Sequence, residues 1–297
     1  SPSPSPSPSP SPSPSPSPIC RCVSSSPSPV SVPSPTPSPS PVGTDYYFSA
    51  SGDNTNGLTE ATAYNSISTV YSLPLSPGDR VLLHGGETFT GGIYFETSGD
   101  AGAPIVITSY GTGRATIQAA VNTSGIYGYQ VEYVRISDIH LVGVGAGSNN
   151  CYRDAKGAGI FFYAGELANP NSGDGKYRGI EIVDVEVEQF ESGITIGSWE
   201  TNLYGYDGVL VERAVAHGNR DAGISTWGMW TTSLVGYSHK NVVIRNCTTY
   251  ENHGNPCSSS HSGSGIVVGN VENVLIEYCL SYQVMMWHMR RRERERE

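Results

Sequence analysis

From residue 132 the apolar positions fall into a frame that recurs five times. The segments "YVRISDIHLVG" (133–143), "GIEIVDVEVEQ" (179–189), "GVLVERAVAHG" (208–218), "NVVIRNCTTYE" (241–251) and "NVLIEYCLSYQ" (273–283) align without gaps. Their second position reads Val134, Ile180, Val209, Val242 and Val274, and their fourth reads Ile136, Ile182, Val211, Ile244 and Ile276. The seventh reads Ile139, Val185, Ala214, Cys247 and Cys279, whereas the sixth is polar throughout: Asp138, Asp184, Arg213, Asn246 and Tyr278. Alternation at a period of two describes a strand with one buried face. The polar sixth residue shifts the phase by one, which predicts a sharp bend into a second strand.

A second anchor follows in four of the five segments, at Gly159-Ile160, Gly193-Ile194, Gly223-Ile224 and Gly265-Ile266, each opening another short apolar run. The first anchors lie 46, 29, 33 and 32 residues apart, so loops vary in length between constant strands. A unit of this size cannot close a core by itself and must stack on its neighbours, the signature of a solenoid. Coiled in parallel, like residues stack about 4.8 Å apart, giving a parallel β-helix. A β-sandwich also buries alternating strands, but it does not return matching residues to matching positions in successive segments.

Upstream, "DRVLLHGG", "GGIYFET" and "APIVITSY" are short β-branched runs separated by Gly and Pro, and "TDYYFSASGDNTNGLTEATAYNSISTVYSL" (44–73) has the make-up of a cap. Residues 1–18 are nine uninterrupted Ser-Pro pairs, and further Ser-Pro continues to Pro41. Proline fixes φ and removes donors, so this stretch is expected to be a disordered, extended spacer. The expected organisation is a Ser/Pro-rich stalk or linker (1–44), a cap with the first turns (45–120), β-helix repeats (121–285) and an atypical charged tail (286–297). That tail, "MMWHMRRRERERE" with its approach, has no apolar position to continue the stack and reads as a truncated or altered end, leaving an uncapped, aggregation-prone edge.

Composition narrows the partners. Of 297 residues 15% are charged, with 35 Gly and 18 Tyr, a balance that suits an all-β chain rich in turns. About 240 residues remain after the Ser-Pro stretch, enough for one sizeable core. The formal charge is −10; without the last eight residues it is −12, from 12 basic and 24 acidic side chains. A body this acidic repels phosphate backbones, which argues against nucleic acid. An acidic polysaccharide would need a bridging cation such as Ca2+ or a local basic pocket. No run approaches the roughly 18 apolar residues of a membrane span, and six cysteines do not make a dense disulfide framework.

"YYFSASGDNTNG", "PGDRVLLHGGETFTGGIYF" and "NVVIRNC…GSGIVVGNVENVLIEYC" together resemble the right-handed parallel β-helix, or pectate-lyase-like, proteins over about residues 45–283. The resemblance implies a right-handed single-stranded solenoid. Members include polysaccharide lyases, glycoside hydrolases, uronan epimerases, adhesins and proteins without activity, so it specifies fold far better than chemistry. "SPSPSP" resembles the hydroxyproline-rich glycoprotein modules of algal and plant cell walls, which implies an extracellular or cell-wall setting. Two functions stay open: a protein that binds and cleaves cell-wall or matrix polysaccharide as a uronate-type lyase or glycoside hydrolase, and a non-catalytic wall or adhesion protein with a carbohydrate-binding solenoid.

Candidate chemistry gathers on either side of the Gly-Ile anchors. Before them come Arg153, Asp154, Lys156, Glu191, Arg220, Asp221 and His261; after them come Trp199, Trp227 and Trp230. Lys156, Arg220, Asp221 and His261 are the catalytic candidates, since carboxylates serve glycoside hydrolysis and a Lys, Arg or His base serves elimination from a uronate. Trp199, Trp227, Trp230, Arg153 and Glu191 are the substrate-binding candidates, because aromatic faces stack on the apolar side of sugar rings. Against this stands the plainer reading in which bend charges are solvated and each Trp covers a rung edge. Cys247, His253, Cys257 and His261 have zinc-like spacing, but the repeat assigns Cys247 to the core, which dissolves the site. Cys247 and Cys279 should stack, as a disulfide or a reduced ladder. Cys151 and Cys257 each precede an anchor by eight residues and are disulfide candidates, and Asn122 and Asn246 begin glycosylation sequons, the second at a tight bend.

Overall fold

The computed structural model describes residues 43–145, 157–199, 202–229, 235–254 and 263–282. They form a parallel β-solenoid with three strands per turn. A leading strand β1 (Asp45–Phe48) precedes turn one, which holds β2 (Arg80–His84), β3 (Thr88–Thr90) and β4 (Ile93–Phe95). Turn two holds β5 (Ile105–Tyr110), β6 (Ala115–Gln118) and β7 (Ile126–Tyr129), and turn three holds β8 (Val134–Ser137), β9 (Ile139–Val142) and β10 (Ala158–Tyr163). Turn four holds β11 (Tyr177–Val183), β12 (Glu186–Glu188) and β13 (Ser192–Gly197); turn five holds β14 (Tyr206–Glu212), β15 (Val215–His217) and β16 (Ala222–Trp227). Turn six holds β17 (His239–Arg245), β18 (Thr248–Tyr250) and β19 (Ser264–Val268), and turn seven begins with β20 (Val271–Glu277) and β21 (Leu280–Tyr282).

The first strands of the turns make sheet A, the second sheet B and the third sheet C, and every named pairing between strands is parallel. Register follows the sequence frame: Val134, Ile180, Val209, Val242 and Val274 lie in line, as do Ile136, Ile182, Val211, Ile244 and Ile276. The Gly-Ile anchors extend the ladder on sheet C, from Ile93 and Ile126 through Ile160, Ile194 and Ile224 to Ile266. Most of these side chains are fully buried, and burying one Val or Ile contributes about 1.5–3 kcal/mol.

The polar sixth position is the bend between sheets A and B. Asp138, Asp184, Arg213, Asn246 and Tyr278 all have φ between +51° and +55°. One left-handed residue reverses the side-chain phase and turns the chain without a loop, at a conformational cost of roughly 1 kcal/mol each. At the corner between sheets B and C the anchor glycines lie against sheet B. A Cβ on Gly159 would stand 2.1 Å from Val187 Cγ1, and one on Gly125 would stand 2.6 Å from Leu141 Cδ2.

Two asparagines complete that corner. Asn219 and Asn252 occupy the same place on turns five and six, both fully buried. Asn219 Nδ2 donates to Asn252 Oδ1 at 3.1 Å and to the Val187 carbonyl at 3.3 Å, while its Oδ1 accepts the Phe190 N–H at 3.1 Å. Asn252 Nδ2 donates to the Ala216 carbonyl at 3.2 Å. The ladder satisfies backbone groups that the corner removes from the sheets.

Seven basic side chains stand on sheet A or its bends, each against a carboxylate. Arg80 meets Asp45, Arg135 meets Glu181, Arg178 meets Asp174, Lys240 meets Glu272 and Arg245 meets Glu212. At the bends, Arg114 meets Asp138 and Arg213 meets Asp184. Exposed pairs of this kind each contribute little to stability, but they confine positive charge to one wall.

Cys247 is buried as the frame requires. Its thiol is pushed up to about 12 by burial, and it donates to the Arg245 carbonyl at 3.2 Å. It and Cys279 are free thiols, so the cysteine ladder is reduced. No helix among the described residues is long and apolar enough to cross a membrane.

The asparagine ladder gives a direct stability expectation. Asn219→Ala leaves the buried Phe190 N–H and the Val187 carbonyl without their partner, and should lower unfolding free energy by about 2–4 kcal/mol. Urea denaturation read by circular dichroism measures this; a loss below half a kcal/mol would contradict the ladder's role.

Candidate functional site

Sheet C faces outward with a band of aromatic rings. Tyr94, Tyr127 and Phe161 occupy one outward row on successive turns, continued by Thr195 and Ser225. Tyr129, Tyr163, Gly197 and Trp227 occupy the next row. Tyr127 and Phe161 stack with centroids 5.1 Å apart and planes within 10°, so these two rings face each other and add to the cohesion of adjacent turns.

Trp227 is placed differently. The residue beside it in register is Gly197, and a Cβ there would fall 2.7 Å from Trp227 Cζ2. The indole therefore lies across the glycine, with its centroid 6.2 Å from Phe161 and 5.7 Å from Tyr163. In this position Trp227 remains partly exposed.

Burial holds the backbone behind this ring in place. His239 is fully buried and its pKa is pushed down to about 4, chiefly by desolvation. In that neutral state Nδ1 accepts the Tyr206 N–H at 3.1 Å and Nε2–H donates to the Trp227 carbonyl at 2.9 Å. Lys176, also buried, donates its ammonium to the carbonyls of Leu203 (2.5 Å), Tyr237 (2.9 Å) and Ser238 (2.6 Å). Desolvation lowers its pKa to about 8. One cation thus ties together connections from sheet C to sheet A in consecutive turns.

The opposite margin of sheet C carries charge. Glu191 and Asp221 immediately precede the paired residues Ser192 and Ala222. Counted from sheet B, however, Phe190 matches Asn219, so turn five holds one additional residue, Arg220, as a bulge. Arg220 and Asp221 are both buried, against the expectation that bend charges are solvated, and Arg220 Nη1 lies 3.4 Å from Glu191 Oε2. The structure brings Glu191, Arg220 and Asp221 together. It places Asp221 about 20 Å from Trp227, six residue steps along the strand.

Trp199 follows β13 by two residues and is 37% exposed. Arg153, Lys156, Trp230 and His261, with the disulfide candidates Cys151 and Cys257, lie outside the described residues. Asn122 has φ of +58° and is exposed at the rim of a hollow of about 490 Å3 lined by Tyr94, Tyr127, Tyr129 and Ser124. Asn246 is exposed at the bend of turn six, away from this face.

Sequence reasoning singled out Trp227 and the residues of the acidic margin and passed over Gly197 and the tyrosine rows. It also missed a cluster on sheet B, where His140 Nε2 meets Glu188 Oε1 at 3.0 Å and His217 Nε2 meets Glu186 Oε1 at 3.3 Å. These crossed pairs satisfy each other across neighbouring strands and brace the sheet. Among the described residues, no group of three or more His, Cys, Asp or Glu is placed to hold a metal ion.

No protein-family profile and no curated protein matches the chain. Among solved structures it is similar to a GH136 lacto-N-biosidase from Eubacterium ramulus, at 19% identity and a TM-score of 0.47 over 80% of this chain. A rhamnogalacturonan lyase aligns over 82% of this chain and 69% of its own, with 14% identity and a TM-score of 0.48. Pectate lyase Pel9A aligns over 81% of this chain and 79% of its own, with 18% identity and a TM-score of 0.32. The chain spans 43% of the length of the lacto-N-biosidase. The fold rests on the strand register described above, and these distant likenesses assign no chemistry to the chain.

The burial of His239 sets a pH dependence. Its folded pKa lies near 4 against an ordinary 6.5, so its contribution is complete above pH 6.5 and is lost as pH falls towards 4. The full loss amounts to about 3 kcal/mol. His239→Gln, which does not titrate, should show a correspondingly flatter profile over that window in urea titrations; parallel profiles would contradict a neutral buried imidazole.

Proposed function

We propose that this chain binds a glycan across the outer face of sheet C, with Trp227 as the stacking platform. The observation that carries the reading is the partly exposed indole lying over Gly197. Sugar rings present an axial C–H face to such a surface, and the contact excludes water while leaving their hydroxyls to hydrogen-bond at the rim. Tyr94 and Tyr127 place hydroxyls on the same face; burial raises both pKa values, so both stay protonated, and the Tyr94 hydroxyl donates to Glu96. The setting that follows is an extracellular or cell-wall one, where such polysaccharides occur.

Cleavage of the bound glycan is the second reading, and the acidic margin favours it. Glu191 and Asp221 stand on adjacent turns, whose strand spacing of about 4.8 Å is close to the carboxyl separation of retaining glycosidases. Arg220 between them opposes their mutual repulsion. One carboxylic acid would protonate the leaving oxygen and the other would attack or shield the anomeric carbon. Without cleavage, the same platform describes an adhesion or wall protein.

Trp227→Ala should weaken glycan binding at least tenfold, about 1.4 kcal/mol. Gly197→Ala should do nearly the same by lifting the indole, with the thermal midpoint little changed. Isothermal titration against soluble glycans checks both, and unchanged affinity in the two variants would overturn the platform. Asp221→Asn and Glu191→Gln should each abolish release of reducing ends while binding persists; equal turnover in either variant would remove that residue from catalysis.

A further inference from the structure

We infer that the glycan held on sheet C is uncharged, a neutral polysaccharide or oligosaccharide rather than a uronan. The inference rests on the binding reading above and on where positive charge lies. Seven of the basic side chains among the described residues stand on sheet A or its bends, each against a carboxylate. The remaining two, Lys176 and Arg220, are buried. Lys176 spends its ammonium on three backbone carbonyls and Arg220 lies against Glu191.

The sheet C face itself offers the opposite sign. Its outward rows are Tyr, Phe, Thr, Ser, Gly and Trp, and the carboxylates bordering them are Glu96, Glu191 and Asp221. Glu96 is exposed and accepts a hydrogen bond from the Tyr94 hydroxyl at the end of the aromatic band. A uronan brings one negative charge per sugar into this border. Neutralising it needs a guanidinium, an ammonium or a bound cation; the described face carries no exposed Lys or Arg, and among the described residues no group of three or more His, Cys, Asp or Glu is placed to hold a metal ion. The whole chain adds a net −10 to the repulsion. Neutral sugars meet no such penalty, because tyrosyl and seryl hydroxyls pair with their hydroxyls and the indole with their C–H face.

The test is affinity electrophoresis of the full chain at low salt in gels containing β-glucan, xyloglucan or galactomannan, and in gels containing polygalacturonate or alginate with and without CaCl2. The expected result is retardation by at least one neutral polymer, abolished by Trp227→Ala, with affinity for every uronan at least roughly tenfold weaker. Ser225→Lys places an ammonium on the outward row between the acidic margin and Trp227 and should bring uronan retardation. Retardation by a uronan that Trp227→Ala abolishes, with none by neutral polymers, overturns this inference and leaves the platform standing. Loss of that uronan retardation in Arg153→Ala or Lys156→Ala would identify the overlooked cation. Retardation by none of the polymers overturns the binding reading itself, and this inference with it.

Discussion

Every turn of this molecule must hydrogen-bond in parallel register to the turn before it. That single constraint sets the rest. A residue at one position returns at the same position about 4.8 Å further along the axis, so a core residue, a bend or a buried polar group has to be repeated or compensated on the next turn. The left-handed residues at Asp138, Asp184, Arg213, Asn246 and Tyr278 show the rule in the backbone. Asn219 and Asn252 show it in side chains, since each needs the other to remain buried without losing its hydrogen bonds.

The same repetition sorts the surface. From turn three onward a single left-handed residue turns the chain from sheet A into sheet B, and that edge carries no insertions there. Both margins of sheet C instead carry connections that vary in length from turn to turn. Charge pairs accumulate on sheet A because alternating Arg and Glu on neighbouring strands oppose stacking of like charges. Sheet C is left with hydroxyls and rings. The proposed binding face thus lies where the chain has freedom to vary its border, a division of labour set by bend length.

Much of the fold was legible because the sixth-position residue keeps apolar frames in step over five turns. Turns one and two escaped the frame for a physical reason. Between sheets A and B they use Gly85, Gly86 and Glu87, and then Gly111 to Arg114, in place of a single left-handed residue, so the spacing of inward positions differs. The additional residue at Arg220 was equally hidden: aligned on the Gly-Ile anchors, Asp221 falls over Glu191 and the chain looks regular. Trp227 was visible as an aromatic near an anchor. Gly197 was not, because its role lies in what its missing Cβ allows a residue thirty positions away to do. Tyr94, Tyr127 and Tyr129 were also passed over, since outward aromatics in a strand look like ordinary alternation.

The proposed platform lies where the aromatic ladder stops. From Tyr94 through Tyr127 to Phe161 each outward ring leans on its neighbour, and a ring stacked on both sides offers a ligand only its edge. After Phe161 the row continues as Thr195 and Ser225, whose hydroxyls lie 3.0 Å apart, and the neighbouring row passes from Tyr163 to Gly197. Small residues on two successive strands end the stack and leave a step in the surface. Trp227 folds into that step, tilted against Phe161 and Tyr163 and partly exposed. A solenoid that repeated its aromatics without interruption would have a more regular wall and no such step; the departure from repetition at Gly197 creates the surface on which the proposed glycan platform depends.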